Sequence, residues 1–323
     1  EYGFQGAMYP WQSGSDGREE TQIVHLNPLT GDWGDDYSSL QRHVSLAIAY
    51  NIWYYYWITH DEEFLSREGG EMLFEICRFW ASKCEKDEKS DRYFIRKVMG
   101  PDEFHEHLPG SDEGGLKNNA YTNLMVAWLF GKATGYLDEI DEEKVRGLKN
   151  KINLEEEEIR SWKHIKDNLE IHFNEKGILA QFEGYFDLKE LDWDAYRAQY
   201  DNIHRMDRIL KAEGKSPDDY KVAKQADTLM TWFNLDNEEI VAILKNMGYS
   251  PGENLLARNF DYYIGRTSHG STLSRIVHAY LANILGRKDV SWELYMEALS
   301  SDYVDIQGGT TGEGIHAGVM GST

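Results

Sequence analysis

Ala47-Ile48-Ala49-Tyr50-Asn51-Ile52-Trp53-Tyr54-Tyr55-Tyr56-Trp57 is the stretch whose reading decides the fold. It lies in a run, residues 39–59, whose apolar and aromatic side chains fall nearly all round a helical wheel. Such a helix is buried on most of its sides. The next one reads differently. Residues 71–84 place Met72, Leu73, Ile76, Phe79 and Trp80 at helical spacing with polar residues between, as in a helix with one wet face. A third helix runs over 120–137. A very acidic one follows at 155–173, striped by Ile159, Trp162, Ile165 and Leu169. Later helices are predicted at 220–234, 237–247, 271–286 and 290–300, with Gly31, Pro109-Gly110, Gly114-Gly115 and Pro251-Gly252 at the joints. Strand-like alternation is confined to 93–98 and 179–182. Nearly buried helices alternating with amphipathic ones imply two concentric layers, aromatic inside and charged outside, in one all-α domain.

The 323 residues suffice for one large core. A net charge of −22 excludes nucleic acid and anionic membrane surfaces as partners, since both demand basic patches. An anion such as phosphate needs a dedicated, locally positive pocket. Cys77 and Cys84 lie seven apart on one expected helix, about 10 Å at ~1.5 Å rise per residue, too far for a disulfide. That points to a reducing, cytoplasmic compartment. No signal peptide, long apolar run or lipidation motif is present. Both ends read as cut, so the chain is expected to be a piece of a longer protein.

Five stretches carry chemistry. The foremost is Gly100-Pro101-Asp102-Glu103-Phe104-His105-Glu106, because Gly-Pro cannot sit inside a helix or central strand and so presents these acids from a loop. An acid on a loop among aromatic rings suits sugar cleavage: the acid protonates the leaving oxygen and flat rings cover the sugar faces. The plainer alternative is a solvated acidic loop. Asn118-Asn119 follows at a helix start, where an N-cap is the ordinary role. Trp11-Gln12-Ser13-Gly14-Ser15-Asp16-Gly17-Arg18-Glu19 can stack a sugar on Trp11 and hold hydroxyls with Asp16, Arg18 and Glu19, or else form a surface loop with an internal Arg–carboxylate pair. Lys224-Gln225 opens an apolar helix and reads either as a substrate grip or as a plain helix start. Ser268-His269-Gly270-Ser271-Thr272 crowds donors at a helix N-terminus, which favours an anion, although a Ser/Thr cap explains it too. Gly308-Gly309-Thr310-Thr311-Gly312-Glu313 lets backbone approach a ligand but lacks the lysine and spacing of a P-loop. His105-Glu106-His107 lacks metal-ligand spacing, so no metal is expected.

Taken together these stretches resemble glycoside hydrolase family 65, inverting phosphorylases of α-linked disaccharides with some hydrolases, over nearly the whole chain. The resemblance implies an (α/α)6 barrel, incomplete at the chain ends, as a single catalytic domain over 1–323 without the family's flanking β-sandwich and C-terminal β domain. It implies Glu103 as general acid and Lys224 and Gln225 on the glucosyl unit. Trp11, Asp16, Arg18 and Glu19 match the family's sugar loop less closely. His269, Ser271 and Thr272 match its phosphate site, and Gly309 with Thr310 its second wall. The substrate implied is an α-linked glucose disaccharide or oligosaccharide, with inorganic phosphate as co-substrate, no cofactor and a homodimeric assembly. A hydrolase needs instead a base roughly 6.5–9.5 Å from the acid. Segment 267–274 holds no carboxylate, and Glu313 is the candidate for that role. The segments 10–16 and 25–31 depart from the loop associated with maltose phosphorylase and point to another branch. A non-catalytic sugar-binding barrel is the competing class, against which Glu103 argues.

Overall fold

The computed structural model describes residues 3–306 and Gly321. Its helices are α1 (His43–Thr59), α2 (Gly70–Lys83), α3 (Ala120–Glu139), α4 (Glu142–Ile152), α5 (Glu156–Asn168), α6 (Trp193–Gln199), α7 (Met206–Ala212), α8 (Asp227–Asn234), α9 (Asn237–Asn246), α10 (Leu255–Ile264), α11 (Thr272–Ile284) and α12 (Lys288–Ser300). Strands are short and pair antiparallel: β1 (Val24–Leu26) with β2 (Trp33–Asp35), β3 (Glu85–Lys86) with β4 (Tyr93–Phe94), and β5 (Arg96–Val98) with β6 (Leu116–Lys117). No described helix is long and apolar enough to cross a membrane.

Helices α1, α3, α8 and α11 pack side by side in that order. Around them α2 packs on α1 and α3, α5 on α2 and α3, α9 on α3, α10 on α8 and α11, and α12 along α11. An inner row covered by an outer row is the two-layer arrangement the sequence pattern predicts and the build of the (α/α)6 barrel that the resemblance implies. The inner layer is innermost at α3, where every residue from Ala120 to Phe130 is buried. Trp162 of α5 then ties the layers together. Its ring stacks on Phe74 of α2 (5.8 Å, 16°) and on Phe130 of α3 (6.2 Å, 4°).

Several expectations need correction. The aromatic run of α1 outlasts its cover, and Tyr55, Trp57 and Ile58 near its end are largely exposed. The helix expected over 155–173 stops at Asn168 because Leu169 turns extended and the Glu170 N–H bonds to Tyr93 O. The helix expected from 220 begins only at Asp227. The chain before it is extended, with the Ala223 N–H on Arg266 O and the Ser268 N–H on Ala223 O. Residues 179–182 form no strand, only an isolated bridge between Leu179 and Phe173. Cys84 lies just past α2 rather than within it, and both cysteines are free.

What positions the site is one buried carboxyl. The β5–β6 hairpin brings Gly100 and Asn119 together, and Asp227 at the start of α8 meets both. Asp227 Oδ1 accepts the Asp102 N–H at 2.5 Å, and Oδ2 accepts the Asn119 amide at 2.6 Å. Asn119 Oδ1 caps α3 by accepting the Thr122 N–H at 2.9 Å. Gln181 closes the ring: its Oε1 accepts the Asp227 N–H at 2.5 Å and its main-chain oxygen the Ala120 N–H at 2.9 Å. Gly100 is required here, since a Cβ would stand 1.9 Å from Asp227 Oδ2.

Two stability measurements follow. Trp162→Ala leaves a void between three helices and lowers the unfolding free energy by about 3–5 kcal/mol in urea titration. Asp227→Ala orphans two buried donors at about 1–3 kcal/mol each. It also speeds hydrogen exchange at the Asp102 amide, which a purely local loss at α8 leaves unchanged.

Candidate active site

The acidic turn is held from inside by carboxylates. Asp102 Oδ1 accepts the Phe104 N–H (3.3 Å) and the Lys224 N–H (2.8 Å). Asp102 Oδ2 faces His105 Nδ1 at 3.0 Å, while His105 Nε2 lies 2.9 Å from Tyr220 O. Both ring nitrogens therefore face acceptors, which suits an imidazolium. Burial opposes that charge, but the hydrogen bond and charge of Asp102 outweigh it and the His105 pKa is raised. Asp218 Oδ1 accepts the Glu106 N–H (2.8 Å) and the His107 N–H (3.1 Å). With its neighbours so occupied, Glu103 extends from the turn, partly exposed, with Lys224 Nζ 2.6 Å from its Oε2.

Glu103 lines two cavities. The central one, about 320 Å³, is walled by the inner helices through His43, Tyr121, Met230 and Leu273, together with Trp11 and Gln225. Three residues facing it hold polar atoms with no partner in the protein: Gln225 Oε1, His43 Nδ1 and both amide atoms of Gln41. Gln225 Nε2 donates to Pro101 O at 2.6 Å, which fixes the direction of its amide. Trp11 lies 5.4 Å from the His43 ring, and His43 meets Tyr121 edge-on at 6.0 Å. Rings and unspent polar atoms around a recess are what a pyranose needs. The second cavity, about 400 Å³, lies between the β1–β2 hairpin, segment 103–106 and α7.

The structure brings Trp11, Glu103, Lys224 and Gln225 together. Lys224 grips Glu103 itself. Glu19 braces the loop: its carboxylate accepts the Trp11 N–H at 3.3 Å and pairs with Arg42 at 3.3 Å. Asp16 and Arg18 are not brought to Glu103. The loop closes on itself through the Gly17 N–H on Gly14 O, and the two side chains pair with each other at 3.2 Å, 54% and 81% exposed. That is the internal pair the sequence also allowed.

His269, Ser271 and Thr272 open α11, whose Leu273 lines the central cavity. Ser271 Oγ accepts the Leu273 N–H at 3.2 Å. A Cβ on Gly270 would stand 3.2 Å from Lys224 Cγ, so this segment runs alongside Lys224. His269 holds a left-handed φ of 54°, uncommon outside glycine. Burial, then the neighbouring His278 and Arg275, push its pKa well down, which favours the neutral ring. Arg275, wholly buried, donates to His269 O at 2.9 Å and pairs with Glu297 at 2.7 Å. Gly309, Thr310 and Glu313 lie outside the described residues. Gln41, His43 and Arg275 carried no motif in the sequence. The available signals were polar Gln41-Arg42-His43 heading an apolar helix, and an arginine within a buried one.

The family model for "Glycosyl hydrolase family 65 central catalytic domain" matches residues 1–323. "Trehalose 6-phosphate phosphorylase" of Lactococcus lactis subsp. lactis (strain IL1403) is 47% identical over 321 residues, 99% of this chain and 40% of that protein. "Kojibiose phosphorylase" of Thermoanaerobacter brockii is 32% identical over 334 residues, 99% of this chain and 39% of that protein. An uncharacterised glycosyl hydrolase of Mycobacterium tuberculosis (strain ATCC 25618 / H37Rv) is 46% identical over 318 residues, 98% of this chain and 24% of that protein. The chain thus spans well under half the length of these relatives. Among solved structures, "Putative kojibiose phosphorylase from human microbiome" superposes with a TM-score of 0.75 at 23% identity, over 98% of this chain and 41% of that one, a likeness of fold. With the whole chain matched by the family model and the barrel shared, the chain belongs to glycosyl hydrolase family 65.

Proposed function

We propose that this chain carries the catalytic centre of an enzyme that cleaves the α-glucosidic bond of a disaccharide by phosphorolysis, with inversion, giving β-glucose 1-phosphate and a free sugar. We read residues 1–323 as one catalytic domain of that enzyme. The observation that carries the reading is Glu103 on the wall of two cavities, since a general acid must reach the oxygen that joins two sugars. The relatives named for a reaction act by phosphorolysis, one on trehalose 6-phosphate and one on kojibiose.

The glucosyl unit occupies the central cavity, stacked near Trp11, with its hydroxyls meeting Gln41, His43 and Gln225. Glu103, steadied by Lys224, donates a proton to the glycosidic oxygen. Inorganic phosphate, held by His269, Ser271, Thr272 and the positive end of the α11 dipole, attacks the anomeric carbon from the opposite face. The bond to the leaving sugar breaks as the new C–O bond forms, and configuration inverts. Phosphate is already an anionic nucleophile and needs no base. Segment 267–274 accordingly has no carboxylate to activate water.

Glu103→Gln keeps the shape and removes the proton. Turnover falls about 10²- to 10⁴-fold, while calorimetry finds glucosyl-ligand affinity little changed. Full turnover in this variant removes Glu103 from the mechanism. The histidines behind the phosphate segment set a pH dependence. Burial pushes wholly buried His278 down to about 4 from an unfolded value of 6.5. Between those values the unfolded chain binds more protons than the native one, so stability is fully present above pH 6.5 and is lost as pH falls toward 4. Melting temperatures from pH 7 to pH 4.5 therefore decline, less steeply in His278→Gln; equal slopes in both proteins contradict the assignment.

A further inference from the structure

Behind the start of α11, three side chains of that helix lie wholly buried. Ser274, Arg275 and His278 are each 0% exposed, and none of them has a part in the reaction proposed above. Arg275 has a plain duty. It donates to His269 O at 2.9 Å and pairs with Glu297 at 2.7 Å, which holds the left-handed His269 backbone in place. Gly270 must stay bare on the other side, since a Cβ there would stand 2.4 Å from His204 O. The main chain is thus pinned around His269. Its ring is thereby kept against Ser274, whose Oγ lies 2.9 Å from His269 Nδ1.

Where the protons lie follows from what each atom can accept. His278 Nδ1 is 2.7 Å from Ser274 O. A carbonyl oxygen only accepts, so that nitrogen carries a proton. Burial keeps the ring neutral, its pKa pushed down to about 4. His278 Nε2 is then bare, and it meets no donor among the described residues. The Ser274 hydroxyl lies between two ring nitrogens, His269 Nδ1 at 2.9 Å and His278 Nδ1 at 3.5 Å. The second already bears a proton and offers no lone pair. Among the described residues the hydroxyl hydrogen is left with His269 Nδ1 as its acceptor. A neutral imidazole has one donor and one acceptor nitrogen, so His269 keeps its proton on Nε2. The reverse arrangement, with Nδ1–H donating to Ser274 Oγ, strands a buried hydroxyl hydrogen without an acceptor, which is costly. His269 spends only Nδ1 on the described residues, so Nε2–H stays open to a ligand.

Resting on the phosphorolysis reading, we propose that Ser274 is a positioning residue whose hydroxyl holds the His269 ring in its Nε2–H form, so that the ring gives the attacking phosphate a neutral hydrogen-bond donor. The other neutral form turns a lone pair toward phosphate oxygens, which are acceptors themselves, and repels them. A protonated ring would give phosphate a proton and weaken it as a nucleophile. The Nε2–H form orients the anion without doing so. Ser274 acts through His269 and does not itself touch phosphate. His278 supports it by denying the hydroxyl a second acceptor.

The test compares the full-length wild type with Ser274→Ala in two measurements. The first is steady-state phosphorolysis of the best wild-type substrate among α-linked glucose disaccharides and their 6-phosphates. The expected result is a KM for inorganic phosphate raised about 5- to 10-fold, the loss of one hydrogen bond, with KM for the disaccharide within about twofold. Ser274→Thr, which keeps the hydroxyl, restores the phosphate KM. An unchanged phosphate KM, or both KM values raised alike, overturns the proposal and leaves phosphorolysis standing. No phosphate-dependent turnover in the wild type sinks both. The second measurement is imidazole nitrogen NMR of histidine-labelled protein, with the His269 signals identified by their loss in His269→Gln. The wild type is expected to show Nδ1 bare and Nε2 protonated, and Ser274→Ala a mixture of the two forms. Identical His269 signals in both proteins overturn the proposal. Should Ser274→Ala fold poorly, the wild-type spectrum decides: a bare, hydrogen-bonded Nδ1 supports the assignment, and a protonated Nδ1 refutes it.

Discussion

Everything at this site hangs on the carboxyl of Asp227. One oxygen takes the main chain of the acidic turn and the other takes the residue that caps α3, while its own N–H is anchored on Gln181. A single buried group thereby fixes the relative position of the turn and two inner helices. Gly100 must be bare for that approach, and Asn119 serves as helix cap and bridge at once. Buried polar groups are costly unless fully partnered, and this cluster is nearly saturated. Its stiffness gives Glu103 a defined place without any element being built around Glu103 itself.

That placement explains the division of labour. The inner helices offer their first turns to a common centre, so the central cavity is lined by rings and by polar atoms left unspent, a chemistry for a neutral sugar. The second cavity is made by elements outside the inner row, the β1–β2 hairpin and α7, and is lined by charge.

The two-layer fold was legible because α2, α5 and α11 bury faces whose periodicity survives in sequence. The exposed end of α1 was not, since an aromatic run looks the same whether or not something covers it. That Glu103 stands on a turn, within reach of a cavity, was legible from the Gly-Pro pair. The group that places it was not: Asp102, Asn119, Gln181 and Asp227 are far apart along the chain and meet only through hydrogen bonds made after folding. Asp16 and Arg18 offered sugar-binding residue types, but the Gly14–Gly17 turn let them satisfy each other first. The β1–β2 hairpin was not legible as strands because Pro28 and Gly31 interrupt the alternation and Leu26 and Trp33 stay largely exposed.

The most direct measurement is proton NMR of the products formed by the full-length protein from α-linked glucose disaccharides and their 6-phosphates, with and without inorganic phosphate. The account predicts β-glucose 1-phosphate, formed only when phosphate is present. Free glucose released at the same rate in both conditions, or α-glucose 1-phosphate as the product, contradicts it.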